Sequence, residues 1–188
     1  MSQQISTLCC SDNSQLVIID VQKKLGQAMP TKVLNRVVLN TVLLASGASL
    51  LEVPILLTEQ YPQGLGETDD NVLAVLRDFQ RFEKTSFSAT GADGFLKHLE
   101  ANERSQVILV GMEAHVCVLQ TAISLHDAGY HVFVVEDAIC SRRLENYQNA
   151  LDRLRQASIQ VVSAESVTFE WLGDASHEHF KTIQNSLR

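Results

Sequence analysis

Five short, nearly uninterrupted apolar runs set the main constraint on this chain. They are Leu16–Asp20, Ile55–Thr58, Gln106–Val110, His131–Val135 and Ile159–Val162. A strand that is apolar throughout, with no alternation, belongs in a sheet covered on both faces. Gln80–Lys84 is a weaker strand signal, because it carries few apolar residues. Helix-period segments fill the gaps between the runs. After Pro30, the residues Val33, Val37, Thr41, Ala45 and Ala48 recur at helical spacing, which predicts a helix of about twenty residues. Shorter helices are expected over Gly91–Glu100 and Ala114–Ala128, the second stopped by Gly129. Leu144, Tyr147, Leu151 and Leu154 mark another, and Phe180, Ile183 and Leu187 a last one.

Strands alternating with helices imply βαβ units and a parallel sheet. Right-handed crossovers leave few arrangements. The expected fold is a three-layer α/β/α domain over residues 1–188, with a six-stranded parallel sheet in the order 3-2-1-4-5-6. In that order the ligand crevice lies beyond the carboxyl ends of strands 1 and 4, where the order reverses.

Charge and cysteine content narrow the function. The chain has 15 Lys and Arg against 22 Asp and Glu, a net charge of −7, and no basic block. That argues against nucleic-acid or membrane-surface binding. Four cysteines are too few for a disulfide scaffold. Met1–Asp12 lacks the basic and apolar regions of a secretory leader, and no apolar run approaches a membrane span. A cytoplasmic, reducing location with free thiols is the expectation.

Three side chains fall at strand ends facing the expected crevice. Asp20 follows strand 1, and its bland alternative is a turn carboxylate. Lys84 ends the weak third strand, where a solvated lysine is the alternative. Cys117 lies six residues past Gly111, in the first turn of the helix after strand 4. Unpaired N–H groups and a positive macrodipole there favour a thiolate. A buried structural cysteine is the alternative. Together the three make a hydrolytic set. The thiol attacks a carbonyl, the carboxylate carries the proton, the lysine supplies fixed charge, and backbone N–H groups stabilise the oxyanion. Gln22, two residues after Asp20, reads as a loop brace or a site residue.

The motifs Ile19-Asp20-Val21-Gln22, Glu83-Lys84-Thr85-Ser86-Phe87 and Gly111-Met112-Glu113-Ala114-His115-Val116-Cys117-Val118 resemble the isochorismatase-like cysteine hydrolases, which include the nicotinamidases. The likeness runs from about Leu16 to Val162. Leu57–Gly66 and Glu113–Ala122 look most like the isochorismatase domain-containing proteins. The resemblance implies a catalytic triad of Asp20, Lys84 and Cys117. It also implies a cis peptide between Met112 and Glu113, and an oxyanion site made by the N–H groups of Glu113 and Cys117. Two departures matter. Nicotinamidases carry an Asp-x-His metal motif after strand 2, where this chain has Thr58-Glu59-Gln60-Tyr61, so no metal and no cofactor are expected. True isochorismatases lack the cysteine and cleave an enol ether, so Cys117 points to C–N bond hydrolysis.

Other signals carry less. His177-x-His179 places its rings on different sides of a helix and reads as surface. No dinucleotide or nucleoside-triphosphate motif and no Cys-x-x-Cys are present. The resulting expectation is a metal-independent cysteine hydrolase acting on a small amide, imide or ureide through a thioester on Cys117. Gln22, Glu59, Tyr61, Phe87, Ala114 and His115 flank the motifs as substrate-binding candidates, and a homo-oligomer is expected. The rival readings are a binding or scaffold protein with an unused triad, and a redox sensor at Cys117.

Overall fold

A computed structural model describes residues 7–187. Of the stretch Met1–Asp12 read above for a leader, residues 1–6 lie outside that range. The strands are β1 (Ser14–Ile19), β2 (Ile55–Gln60), β3 (Gln80–Lys84), β4 (Gln106–Met112), β5 (His131–Cys140) and β6 (Gln160–Val162). The helices are α1 (Lys23–Gly26), α2 (Thr31–Leu50), α3 (Pro62–Leu65), α4 (Asp70–Val75), α5 (Phe95–Ala101), α6 (Leu119–Asp127), α7 (Leu144–Gln156), α8 (Ala164–Leu172) and α9 (Phe180–Ser186). All strand pairs are parallel, and the sheet order is β3-β2-β1-β4-β5-β6, as expected.

The uninterrupted apolar runs are explained by two cores, one on each face. Successive side chains of a strand point to opposite sides. Leu16 and Ile18 of β1 join Val37, Leu44, Ala45 and Ala48 of α2 and Trp171 of α8. Val17 and Ile19 join Phe95 and Leu99 of α5 and Leu119, Ala122 and Leu125 of α6. Full burial of each such side chain contributes roughly 1.5–3 kcal/mol. By length and composition α2 would pass for a membrane span, so the expectation that no segment approaches one needs correcting. Its Val37, Thr41, Leu44 and Ala48 are buried against the sheet, which marks it as a core helix here.

Three elements depart from the sequence reading. β5 does not stop at Val135 but runs to Cys140. Its pairing with β4 shifts register between Leu109 and Gly111, where Glu136 and Asp137 leave the apolar pattern. Asp137 there accepts the Ala164 N–H at the start of α8. The expected Gly91–Glu100 helix begins later, at Phe95, after a 3-10 turn over Ala89–Gly91. The helix after β4 is divided. A π turn over Ala114–Val118 precedes α6.

The close approach of β1 and β4 requires Gly111. Its φ is +115°, and an added Cβ would overlap the Ile19 carbonyl oxygen. Gly111→Ala is therefore expected to destabilise the fold by roughly 3 kcal/mol, read as a lowered thermal midpoint. A midpoint within a degree of wild type would refute that packing.

Candidate active site

The carboxyl ends of β1, β2, β3 and β4 converge, and they bring together Asp20, Thr58 and Gln60, Lys84 and Cys117. Asp20 follows β1 with φ +51°, a left-handed conformation that aspartate tolerates better than most residues. Its N–H donates to the Thr58 carbonyl at 3.1 Å, and its carbonyl accepts the Gln22 N–H at 2.7 Å. This tight turn aims the carboxylate inward. Thr58 Oγ1 donates to Oδ1 at 2.7 Å, and Lys84 Nζ donates to Oδ2 at 2.6 Å. Both charged side chains are fully buried.

A buried ion pair carries a desolvation penalty that its Coulomb attraction offsets only when the remaining donors and acceptors are satisfied. Here they are. Lys84 Nζ also donates to Gln60 Oε1 at 2.7 Å and to the Phe87 carbonyl at 3.2 Å. The register pairs Gln60 directly with Lys84 across β2 and β3. The lysine is committed to protein oxygens, so its charge is fixed in place.

Cys117 completes the group. The Met112–Glu113 peptide is cis, and the chain then enters the π turn. The Val116 and Val118 N–H groups both donate to the Glu113 carbonyl, at 3.0 and 3.3 Å. Cys117 Sγ lies 4.0 Å from Gln60 Oε1. The thiol is 5% exposed. Burial, and then the Asp20 carboxylate, push its pKa up to about 12, while the Lys84 ammonium pulls the other way. This corrects the expectation of a resting thiolate. Burial and a neighbouring carboxylate outweigh the turn and the lysine, so the resting group is a thiol beside a carboxylate.

The remaining candidates divide. Gln22 Nε2 donates to the Gln60 and Gly66 carbonyls at 3.1 and 2.6 Å, and its Oε1 accepts the Gln60 N–H at 2.8 Å. All of these partners are backbone groups, which makes Gln22 a loop brace. Glu59 Oε1 accepts the Thr68 N–H and hydroxyl at 2.8 and 2.7 Å, which holds the α3–α4 loop. The Glu113 carboxylate accepts from the Arg142 N–H and Nε. His115 Nδ1 is hydrogen-bonded to Ser141 Oγ at 2.9 Å, and its Nε2 lies 3.3 Å from Asn146 Nδ2. Both side chains tie the π turn to the β5–α7 connection. Ala114 is fully buried. Tyr61 and Phe87 stay 55% and 54% exposed beside Gln60 and Lys84, as rim aromatics.

Sequence reasoning missed Thr58 and Gln60 as functional residues. The available signal was their position at the carboxyl end of β2, next to β1. Those two and Glu59 occupy the stretch read for a metal motif. Each binds another side chain or backbone group, a poor donor set for a cation. Among the described residues no cluster of three or more His, Cys, Asp or Glu could hold a metal ion. His177 and His179 precede α9 rather than lying on a helix, and their rings, expected on different sides, are tilted at 41° with centroids 5.6 Å apart.

Comparison with known proteins adds the lineage. The family model described as Isochorismatase domain matches residues 14–166. The chain is 37% identical over 184 residues to the secreted isochorismatase effector Isc1 of Phytophthora sojae, covering 94% of this chain and 85% of that protein. It is 37% identical over 177 residues to isochorismatase domain-containing protein 2 of Bos taurus, covering 94% and 83%. Among solved structures, MAR1 ribonuclease from Caenorhabditis elegans superposes with a TM-score of 0.90 at 32% identity, covering 96% of this chain and 92% of that one.

Proposed function

The chain belongs to the isochorismatase domain family, and from that premise we propose that it is a metal-independent cysteine hydrolase cleaving a C–N bond in a small amide, imide or ureide. The observation that carries this reading is the buried meeting of Asp20, Lys84 and Cys117 at the carboxyl ends of three strands. Cys117 Sγ attacks the substrate carbonyl and forms an S–C bond. The thiol proton passes to Asp20. The oxyanion is held, as the family resemblance implies, by the N–H groups of Glu113 and Cys117. On collapse the C–N bond breaks and Asp20 returns the proton to the leaving amine. Water then attacks the thioester, giving its proton to Asp20, and the C–S bond breaks as Asp20 returns that proton to the sulfur, which regenerates the thiol and the carboxylate. Lys84 supplies fixed positive charge that stabilises the sulfur anion while the bond forms.

The protonated resting thiol fits this order of events. A nucleophile pushed up to about 12 needs a base in contact, and Asp20 is that base. Four free cysteines agree with a reducing compartment, and we place the protein in the cytoplasm on that ground. Exposed Leu39 and Leu144 support self-association as a homo-oligomer, which light scattering tests.

The experiment is ammonia release from a panel of small neutral amides, imides and ureides, with an enol-ether substrate and RNA as further arms. Release from at least one C–N member is the expected result. The RNA arm tests the second reading, which comes from the ribonuclease name of the Caenorhabditis elegans relative. A net charge of −7 speaks against a surface that follows phosphates. RNA cleavage with no C–N activity would replace the proposed reading.

A further inference from the structure

Gln60 is held more completely than any strand-end glutamine needs to be. Its backbone N–H and carbonyl are both bonded to the Gln22 amide, at 2.8 and 3.1 Å. Its Nε2 donates to the Thr85 carbonyl at 2.9 Å, and this fixes the orientation of the side-chain amide. With the nitrogen facing Thr85, the oxygen must face inward. There it accepts from Lys84 Nζ at 2.7 Å and lies 4.0 Å from Cys117 Sγ. One neutral oxygen therefore serves both the ammonium and the thiol.

We propose that Gln60 is a positioning residue for Cys117, a neutral acceptor that holds the Lys84 ammonium beside the sulfur without cancelling its charge. This rests on the cysteine-hydrolase reading of the site and deepens it. A carboxylate at this point would pair with the lysine and repel the developing sulfur anion. An apolar side chain would release an ammonium proton to turn toward the sulfur. Glutamine does neither. It keeps the positive charge available when the sulfur becomes an anion.

The charged groups acting on Cys117 are Asp20, at the end of β1, and Lys84, at the end of β3. The nearby His115 ring is bonded to Ser141, and the Glu113 carboxylate to Arg142. Changing Gln60 therefore alters the balance of a small, named set. The Gln22 bonds that brace the loop involve only the backbone of residue 60, so they survive side-chain substitution.

The test is the alkylation rate of Cys117 by iodoacetamide at mildly alkaline pH, resolved by peptide mass spectrometry. The exposed Cys10 in the same molecule is the internal reference. The rate follows the thiolate fraction, so one pKa unit is tenfold. Gln60→Glu is expected to slow Cys117 labelling about tenfold or more. Gln60→Met is expected to speed it at least about threefold. Loosening of the fold would speed labelling in both variants, so opposite signs separate charge control from a merely structural role. If Gln60→Glu fails to fold, the Met variant is read with its thermal midpoint and with the labelling of buried Cys9 and Cys140 as controls. Faster labelling confined to Cys117 is then the expected result, and labelling unchanged from wild type, or raised at all three thiols, overturns the proposal. Two variants that match a wild type with measurable labelling overturn the role of Gln60 only. If wild-type Cys117 labels too slowly to measure against Cys10, Gln60→Met decides, and a Met variant no faster than wild type overturns this proposal. The cysteine-hydrolase reading, which starts from a protonated thiol, falls only if Cys117→Ala keeps C–N hydrolysis.

Discussion

Cys117→Ala should lose at least about 10⁴-fold in hydrolysis of any C–N substrate the wild type accepts, with little change in stability. The asymmetry has a structural reason. Cys117 is a small buried group whose Sγ lies beside Asp20, Lys84 and Gln60, and its removal leaves a small void while the Asp20–Lys84 pair stays intact. Its chemistry has no substitute nearby. Of the other thiols, Cys9 and Cys140 are buried and Cys10 is exposed, and none lies at the carboxyl ends of β1 and β3. Cys140 closes β5, and its thiol is also pushed up to about 12, chiefly by burial and then by the Glu113 carboxylate, with Arg36 opposing. Side-by-side kinetics and thermal melts check both halves of the prediction. Retained activity would remove the covalent step.

Lys84→Met should have the opposite profile, with a large loss of stability as well as activity. It leaves the Asp20 carboxylate fully buried, with Thr58 as its side-chain donor. Removing one partner of a buried pair costs about 3–5 kcal/mol, because the other charge stays desolvated and unpaired. For a chain of this size that is a fall of roughly 10 °C in thermal midpoint. The double variant Asp20→Asn with Lys84→Met removes both charges, keeps a residue that tolerates the left-handed turn, and should regain most of the midpoint. It should stay inactive. Recovery of stability without activity separates what the pair does for the fold from what it does for the reaction. A single variant as stable as wild type would show that the carboxylate is not isolated from water.

How much of this was legible in the sequence depended on element length and on what kind of contact was involved. The sheet was readable because a strand buried on both faces must be apolar throughout, as β1 and β4 are in Leu16–Ile19 and Val107–Val110. The third strand was weaker for a physical reason, since Gln80, Arg81 and Glu83 lie exposed at the sheet edge. Helices α1, α3 and α4 run only four to six residues, too short for a helical period to register. β5 was cut short because Glu136 and Asp137 interrupt its apolar run where the pairing slips.

At the site, motif order placed Asp20, Lys84 and Cys117 at the carboxyl ends of three strands of one sheet. It gave no warning that burial and Asp20 would keep the thiol protonated, because that depends on distances in the fold. Gln60 was overlooked for the same reason. Its place at the carboxyl end of β2 was the only cue, and its contact with Lys84 depends on the β2–β3 register. Gln22 and Glu59 were read as substrate candidates from proximity alone. Their partners turned out to be backbone groups and Thr68.

The central claim is that a thioester forms on Cys117, and intact-mass spectrometry of rapidly acid-quenched turnover mixtures tests it most directly. With a C–N substrate the protein hydrolyses, the account predicts a mass increase equal to the acyl fragment, mapped to the peptide bearing Cys117 and absent in Cys117→Ala. Steady turnover with no adduct at Cys117, matched by an active Cys117→Ala variant, would contradict it.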